Sequence, residues 1–156
     1  MRHSGKKEKT ERSLLQKNHE HLFYRIDPRG GRTNQPKYAL IVKALEQYGT
    51  VYSEHVQDEA LSQYGETHLS AGEILERERA ALEKCDVIVA EVTTPSLGVG
   101  YLIARASFLE KKITALYCGK DNLKLSAIIK GDAMIEVRTY TVDDEIPRIL
   151  EESLGS

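Results

Sequence analysis

The segment DVIVAEV, residues 86–92, constrains this chain more than any other stretch. Its near-continuous run of β-branched and small apolar side chains leaves no polar face, which is the pattern of a strand in the buried centre of a parallel sheet. Such sheets are covered by crossover helices, and the rest of the chain alternates to match. HLFYRI (21–26) reads as a first strand, broken by Pro28 and the Gly30-Gly31 pair. Thr33 or Asn34 caps a helix whose apolar residues Ile41, Ala44, Leu45 and Tyr48 fall at i, i+3, i+4 and i+7, with Gly49 as its stop. A second short strand at 51–53 and a long polar loop, 54–69, come next. The spacing then predicts a helix over 70–84, opened by a Ser70/Glu73 capping box. After DVIVAEV and the loop TTPSLGVG, the pattern gives a helix to about 110, ITALY as strand four and a helical turn near 125–129. MIEVR as strand five and a closing helix over 143–154 complete it. The expected fold is an α/β domain built on a Rossmann-like, doubly wound, five-stranded parallel sheet with helices on both faces, taking ligands at the carboxyl ends of its strands.

With 156 residues, 40% of them hydrophobic, the chain has material for one domain, expected over 21–156. The first 20 residues, MRHSGKKEKTERSLLQKNHE, have the composition of a flexible polar tail. Glu8, Glu11 and Glu20 interrupt its basic residues and argue against a transit peptide. A net charge of −2 supplies no field for nucleic acid or an anionic membrane, so any anion must be gripped locally. Eight scattered tyrosines, two phenylalanines and no tryptophan make a poor base-stacking platform for RNA. No apolar run has the length of a membrane span, and no secretory signal is present, so a cytoplasmic or nuclear location is expected. Cys85 and Cys118 read as buried thiols, the five histidines show no ligand spacing, and neither a metal nor a cofactor is expected.

Two loops carry the candidate chemistry. From Thr93 to Gly100 a buried strand passes into a helix, so free N–H groups and the positive end of the helix dipole face the crevice. Ser96 adds a hydroxyl, and Gly98 and Gly100 permit close approach of a phosphate; a glycine-rich turn needed only for packing is the alternative. The loop RGGR, 29–32, offers guanidiniums beside Gly30 and Gly31, a geometry suited to bidentate phosphate contact, or else an exposed turn with solvated charges.

The segments RGGR (29–32), GTVYSEHV (49–56), KCDVIVAEVTTPSLGVGY (84–101) and LSAII (125–129) occur in the same order and at similar spacings in a known family. Over about residues 22–131 the chain resembles the 2′-deoxynucleoside 5′-phosphate N-hydrolases, relatives of the nucleoside 2-deoxyribosyltransferases. That resemblance implies a Rossmann-like homodimer that cleaves the N-glycosidic bond of deoxynucleoside monophosphates. It assigns the 5′-phosphate to Ser96, Gly98 and the RGGR loop with Arg29, Gly30 and Gly31 of one subunit and Ser126 of the other, beside Gly100 from the loop reading above.

The catalytic positions depart from the family. Breaking an N-glycosidic bond calls for a carboxylate at C1′ and an acid behind the leaving base. The family carries a Glu just after GVGY, where this chain has Leu102, and an Asp where it has Glu78. At the first strand the family's Tyr and its Gly-Ser pair are replaced by Phe23, Ile26 and Asp27. These changes predict a member that keeps its phosphate grip but has lost or weakened N-glycosidase activity, serving as a binding module or as a structural subunit of a larger assembly. The alternative is an active 2′-deoxynucleoside 5′-monophosphate N-glycosidase whose rearranged site draws on Asp27, Glu78 or Glu91.

Overall fold

The computed structural model describes residues 21–26, 35–52 and 69–155, with the backbone alone for 21–26 and 35. The expected tail, the cap at Thr33 or Asn34, and most of the polar loop after the second strand lie outside these residues. In chain order the elements are β1 (His21–Ile26), α1 (Gln35–Leu45), β2 (Gly49–Tyr52), α2 (Ala71–Lys84), β3 (Val87–Glu91) and α3 (Leu97–Phe108). They continue with β4 (Lys112–Cys118), α4 (Ala127–Gly131), β5 (Ile135–Tyr140), a 3-10 turn (Asp143–Glu145) and α5 (Ile146–Leu154).

The strands pair in parallel in the order β2-β1-β3-β4-β5. Every residue of β3 is buried, as a doubly covered central strand requires. Side chains alternate across it. Ile88, Ala90 and Val92 join Ala81 and Leu82 of α2 and Val99, Ile103 and Ala106 of α3 in one cluster. Val87 and Val89 join Tyr38, Ile41, Ala44 and Leu45 of α1 and Ile146, Ile149 and Leu150 of α5 in the other. The helices therefore cover both faces. The order in which strands are added reverses between β1 and β3, and in sheets of this order the crevice at the carboxyl ends of those two strands is where ligands sit.

The local signals were uneven guides. The capping box forms: Glu73 Oε2 accepts the Ser70 amide at 2.8 Å, and Ser70 Oγ accepts the Glu73 amide at 3.3 Å. α1 stops at Leu45, so Tyr48 lies in a turn whose N–H donates to the Leu45 carbonyl at 2.8 Å, and Gly49 opens β2 instead of ending the helix. The helical turn after β4 begins at Ala127, later than expected, because Leu125 is committed to the core and its N–H to the Asn122 carbonyl. A run as short and evenly apolar as LSAII does not fix helical phase. α5 is tied to the sheet through a buried Ser153, whose hydroxyl meets Thr114 Oγ1 at 2.9 Å and donates to Glu136 Oε2 at 2.6 Å.

Candidate functional site

The loop from Thr93 to Gly100 leaves the carboxyl end of β3 at the edge of the crevice and becomes α3. Ser96 is the helix N-cap, with its Oγ accepting the Val99 amide at 3.4 Å. That bond uses a lone pair and leaves the hydroxyl hydrogen for an anion. Among the described residues, a side chain added at Gly98 would meet only Ser96 Oγ, at 3.9 Å, and one added at Gly100 would meet nothing within 4 Å. Packing among the described residues therefore does not demand either glycine.

Glu78, Ala81 and Leu82 fall at i, i+3 and i+4 on the buried face of α2. Glu78 is 6% exposed, and Arg77 Nη2 donates to its Oε1 at 2.9 Å. Burial outweighs that neighbour and pushes the carboxyl up to about 7, so it exchanges a proton near neutrality. Leu102, on α3, packs against the cluster that holds Ala81, Leu82, Ile88 and Ile103. Both positions thus lie on the α2–α3 face of the sheet, and the second offers hydrocarbon where the family resemblance leads one to expect a carboxylate.

Glu91 lies on the opposite face. It is 1% exposed, and its Oε1 accepts from Tyr140 Oη at 3.0 Å and from Thr93 Oγ1. The structure does not bring it to Leu102. Register sets Phe23 beside Val51 and Val87, Tyr24 beside Tyr52 and Ile88, and Ile26 beside Ala90. Asp27, Arg29, Gly30 and Gly31 lie outside the described residues, one step and more beyond the end of β1. Ser126 is exposed at the head of α4 and makes no capping bond with its side chain.

Sequence reading missed three features. Tyr101 stands beside the Arg79 and Arg105 guanidiniums, the Arg79 group chief among them, and they hold its phenol below the ordinary tyrosine value. Leu97, Tyr101, Ala104 and Phe108 form one exposed stripe along α3, with Leu97 96% and Phe108 87% exposed. Periodicity at i, i+4, i+7 and i+11 was the available signal, but α3 is apolar on its inner side too, which hid a second stripe. The Glu91–Tyr140 bond joins residues too distant in sequence for any local pattern to show. Among the described residues no helix is long and apolar enough to cross a membrane.

No family model matches the chain. Whole-chain comparisons are more informative. A 5-hydroxymethyl-dUMP N-hydrolase of Danio rerio is 44% identical over 127 residues, covering 80% of this chain and 88% of its own. The enzyme of the same name from Esox lucius is 39% identical over 137 residues, 85% of this chain and 94% of its own. A Methanosarcina mazei protein named as a candidate 2′-deoxynucleoside 5′-phosphate N-hydrolase is 39% identical over 132 residues, 83% of this chain and 80% of its own. Among solved structures, a CMP N-glycosidase of Clostridium botulinum superposes with a TM-score of 0.64 at 20% identity, over 84% of this chain and 98% of that one. At that identity the superposition speaks to the fold, whereas the curated relatives speak to descent. On that ground the chain belongs to the 2′-deoxynucleoside 5′-phosphate N-hydrolase family.

Proposed function

We propose that this protein binds a 2′-deoxynucleoside 5′-monophosphate in the β1–β3 crevice and has lost or weakened the hydrolysis its relatives are named for. Leu102 carries the reading: a leucine neither attacks C1′ nor offsets cationic charge there, and its side chain is taken up in the core cluster. The phosphate grip is intact by residue type. Ser96 caps α3 with a hydrogen to spare, Gly98 and Gly100 have room around them, and Arg29, Gly30 and Gly31 supply the second loop in sequence. Base and sugar then extend toward the α2–α3 face, where Glu78 supplies an acid that holds its proton close to neutral pH.

The functional unit in this reading is a homodimer. The exposed α3 stripe and the exposed Leu123, Ile128 and Met134 around α4 form apolar surface beyond what a lone chain requires. Ser126 lies within that surface, its hydroxyl uncommitted to its own helix, and reaches the partner's phosphate. Phe108→Glu is expected to leave the fold intact and shift the protein from dimer to monomer in light scattering. A dimer that survives this change and Ile128→Glu would place the interface elsewhere.

Calorimetric titration with deoxynucleoside monophosphates tests the binding claim. Ser96→Ala is expected to weaken affinity roughly 10-fold, the loss of one charge-assisted hydrogen bond. Gly98→Ala should raise the melting temperature, since alanine is the better helix former by about 0.8–1 kcal/mol, yet lower affinity. Equal affinity for both variants and the unaltered protein would remove the phosphate from this loop. The second reading, an active hydrolase, is favoured by one observation, the near-neutral Glu78 carboxyl, and predicts free base among the products.

A further inference from the structure

Beneath the Thr93–Gly100 loop lies a polar cluster that binding and catalysis leave unassigned. Tyr140, the last residue of β5, is 2% exposed and donates its hydroxyl to Glu91 Oε1 at 3.0 Å. Thr93, the first residue of the loop, donates to the same oxygen, and its Oγ1 in turn accepts the Cys118 amide at 2.8 Å. The head of the loop is thus tied to the ends of β3, β4 and β5 at once. Burial and the Glu91 carboxylate push the Tyr140 phenol far above its ordinary range, so it stays a donor through the physiological pH span. The Tyr140 ring is seated in turn: Lys37 Nζ, in the first turn of α1, stands 5.4 Å from its centroid and 3.9 Å from Asp143 Oδ1. Glu91 Oε2 is buried and has no partner among the described residues, so both bonds fall on one oxygen.

Such an arrangement is costly as a fold device. A buried carboxylate with an unpaired oxygen destabilises the chain relative to an apolar pair of the same shape. Its bonds converge on the residue that sets where the loop begins, and backbone N–H groups at a helix start grip a phosphate only if held in place beforehand.

We propose that Tyr140 and Glu91 are positioning residues for ligand binding, fixing Thr93 so that the Thr93–Gly100 loop is pre-formed for a phosphate. The proposal rests on the nucleotide reading of that loop. Neither residue touches the ligand; each acts through Thr93.

The test uses the full chain with Tyr140→Phe, Thr93→Val, the double variant and Thr93→Ser, titrated with deoxyuridine 5′-monophosphate well below each melting temperature. Each of the first two is expected to weaken binding about 3- to 10-fold, the range of one buried hydrogen bond. The double variant should be no weaker than the weaker single, because both interrupt one path, and Thr93→Ser should recover the affinity. Amide hydrogen exchange over residues 94–100 should accelerate in both singles without ligand. Affinities equal to the unaltered protein alongside lower melting temperatures would reduce the cluster to a fold element, and losses that multiply in the double variant would break the shared path. If the unaltered protein binds no nucleotide, the nucleotide reading fails by itself. The exchange experiment then decides the positioning claim, and unchanged exchange over 94–100 overturns it.

Discussion

Leu102→Glu is expected to raise the release of free base from a deoxynucleoside 5′-monophosphate by on the order of 10³-fold over the unaltered chain, or about 4 kcal/mol of barrier. The side chain at 102 belongs to α3 and packs on the α2–α3 cluster, the same side of the sheet as Glu78. A carboxylate placed there joins one whose proton is available near neutrality. One group stabilises developing charge at C1′ and the other protonates the departing base, the division of labour that glycosidic cleavage requires. The new glutamate is partly buried, which costs stability, so the melting temperature should fall while activity rises. Phe23→Tyr and Asp27→Ser, added to Leu102→Glu, follow the pattern that the family resemblance implies at and just after the first strand and are expected to increase the gain. Base release measured by chromatography checks both steps. No gain in the triple variant would show that residue 102 does not face the sugar.

The second large effect concerns Glu78 and pH. Its carboxyl titrates near 7 in the folded protein against 4.5 as the unperturbed value. Between those two pH values the folded chain retains a proton that the unfolded chain has released. Stability therefore falls as pH rises from about 4.5 to about 7, and above 7 the full penalty of the buried charge remains. Glu78→Gln removes the penalty. Urea unfolding should show the variant more stable at pH 8 by on the order of 1–2 kcal/mol, after allowance for the Arg77 contact and solvent screening. At pH 4 the two proteins should be nearly alike. In the Leu102→Glu background the same change should abolish base release, since glutamine has no proton to give at this barrier. A Glu78→Gln variant that kept the parent's downward slope between pH 4.5 and 7 would assign that slope to another group.

How far the sequence reached depended on how local each cause is. The DVIVAEV strand, the capping box at Ser70 and the parallel α/β plan follow from patterns within a few residues, and the structure has all three. The apolar period runs one turn past the end of α1 because Tyr48 continues it, yet the chain must turn at Glu46 to bring Gly49 beside His21. Periodicity does not carry that long-range demand. At the site, Ser96, Gly98 and Gly100 were legible as a helix-start loop, and the structure adds that no contact among the described residues demands either glycine. The fate of Glu91 was not legible. Its position on the strand allowed either face, and its partner Tyr140 arrives from the far end of the chain. The exposed stripe on α3 was hidden for a related reason: an apolar residue reads the same in sequence whether it is buried in the core or exposed.

The central claim is that binding persists where turnover does not, and one measurement addresses both halves. The unaltered protein is titrated with each deoxynucleoside 5′-monophosphate in a calorimeter, and the same samples are then assayed for free base over several hours. The account predicts saturable binding of about one nucleotide per chain and base release at least two orders of magnitude below that of the Leu102→Glu variant. Rapid release of base by the unaltered protein, at a rate that Leu102→Glu does not improve, would contradict it.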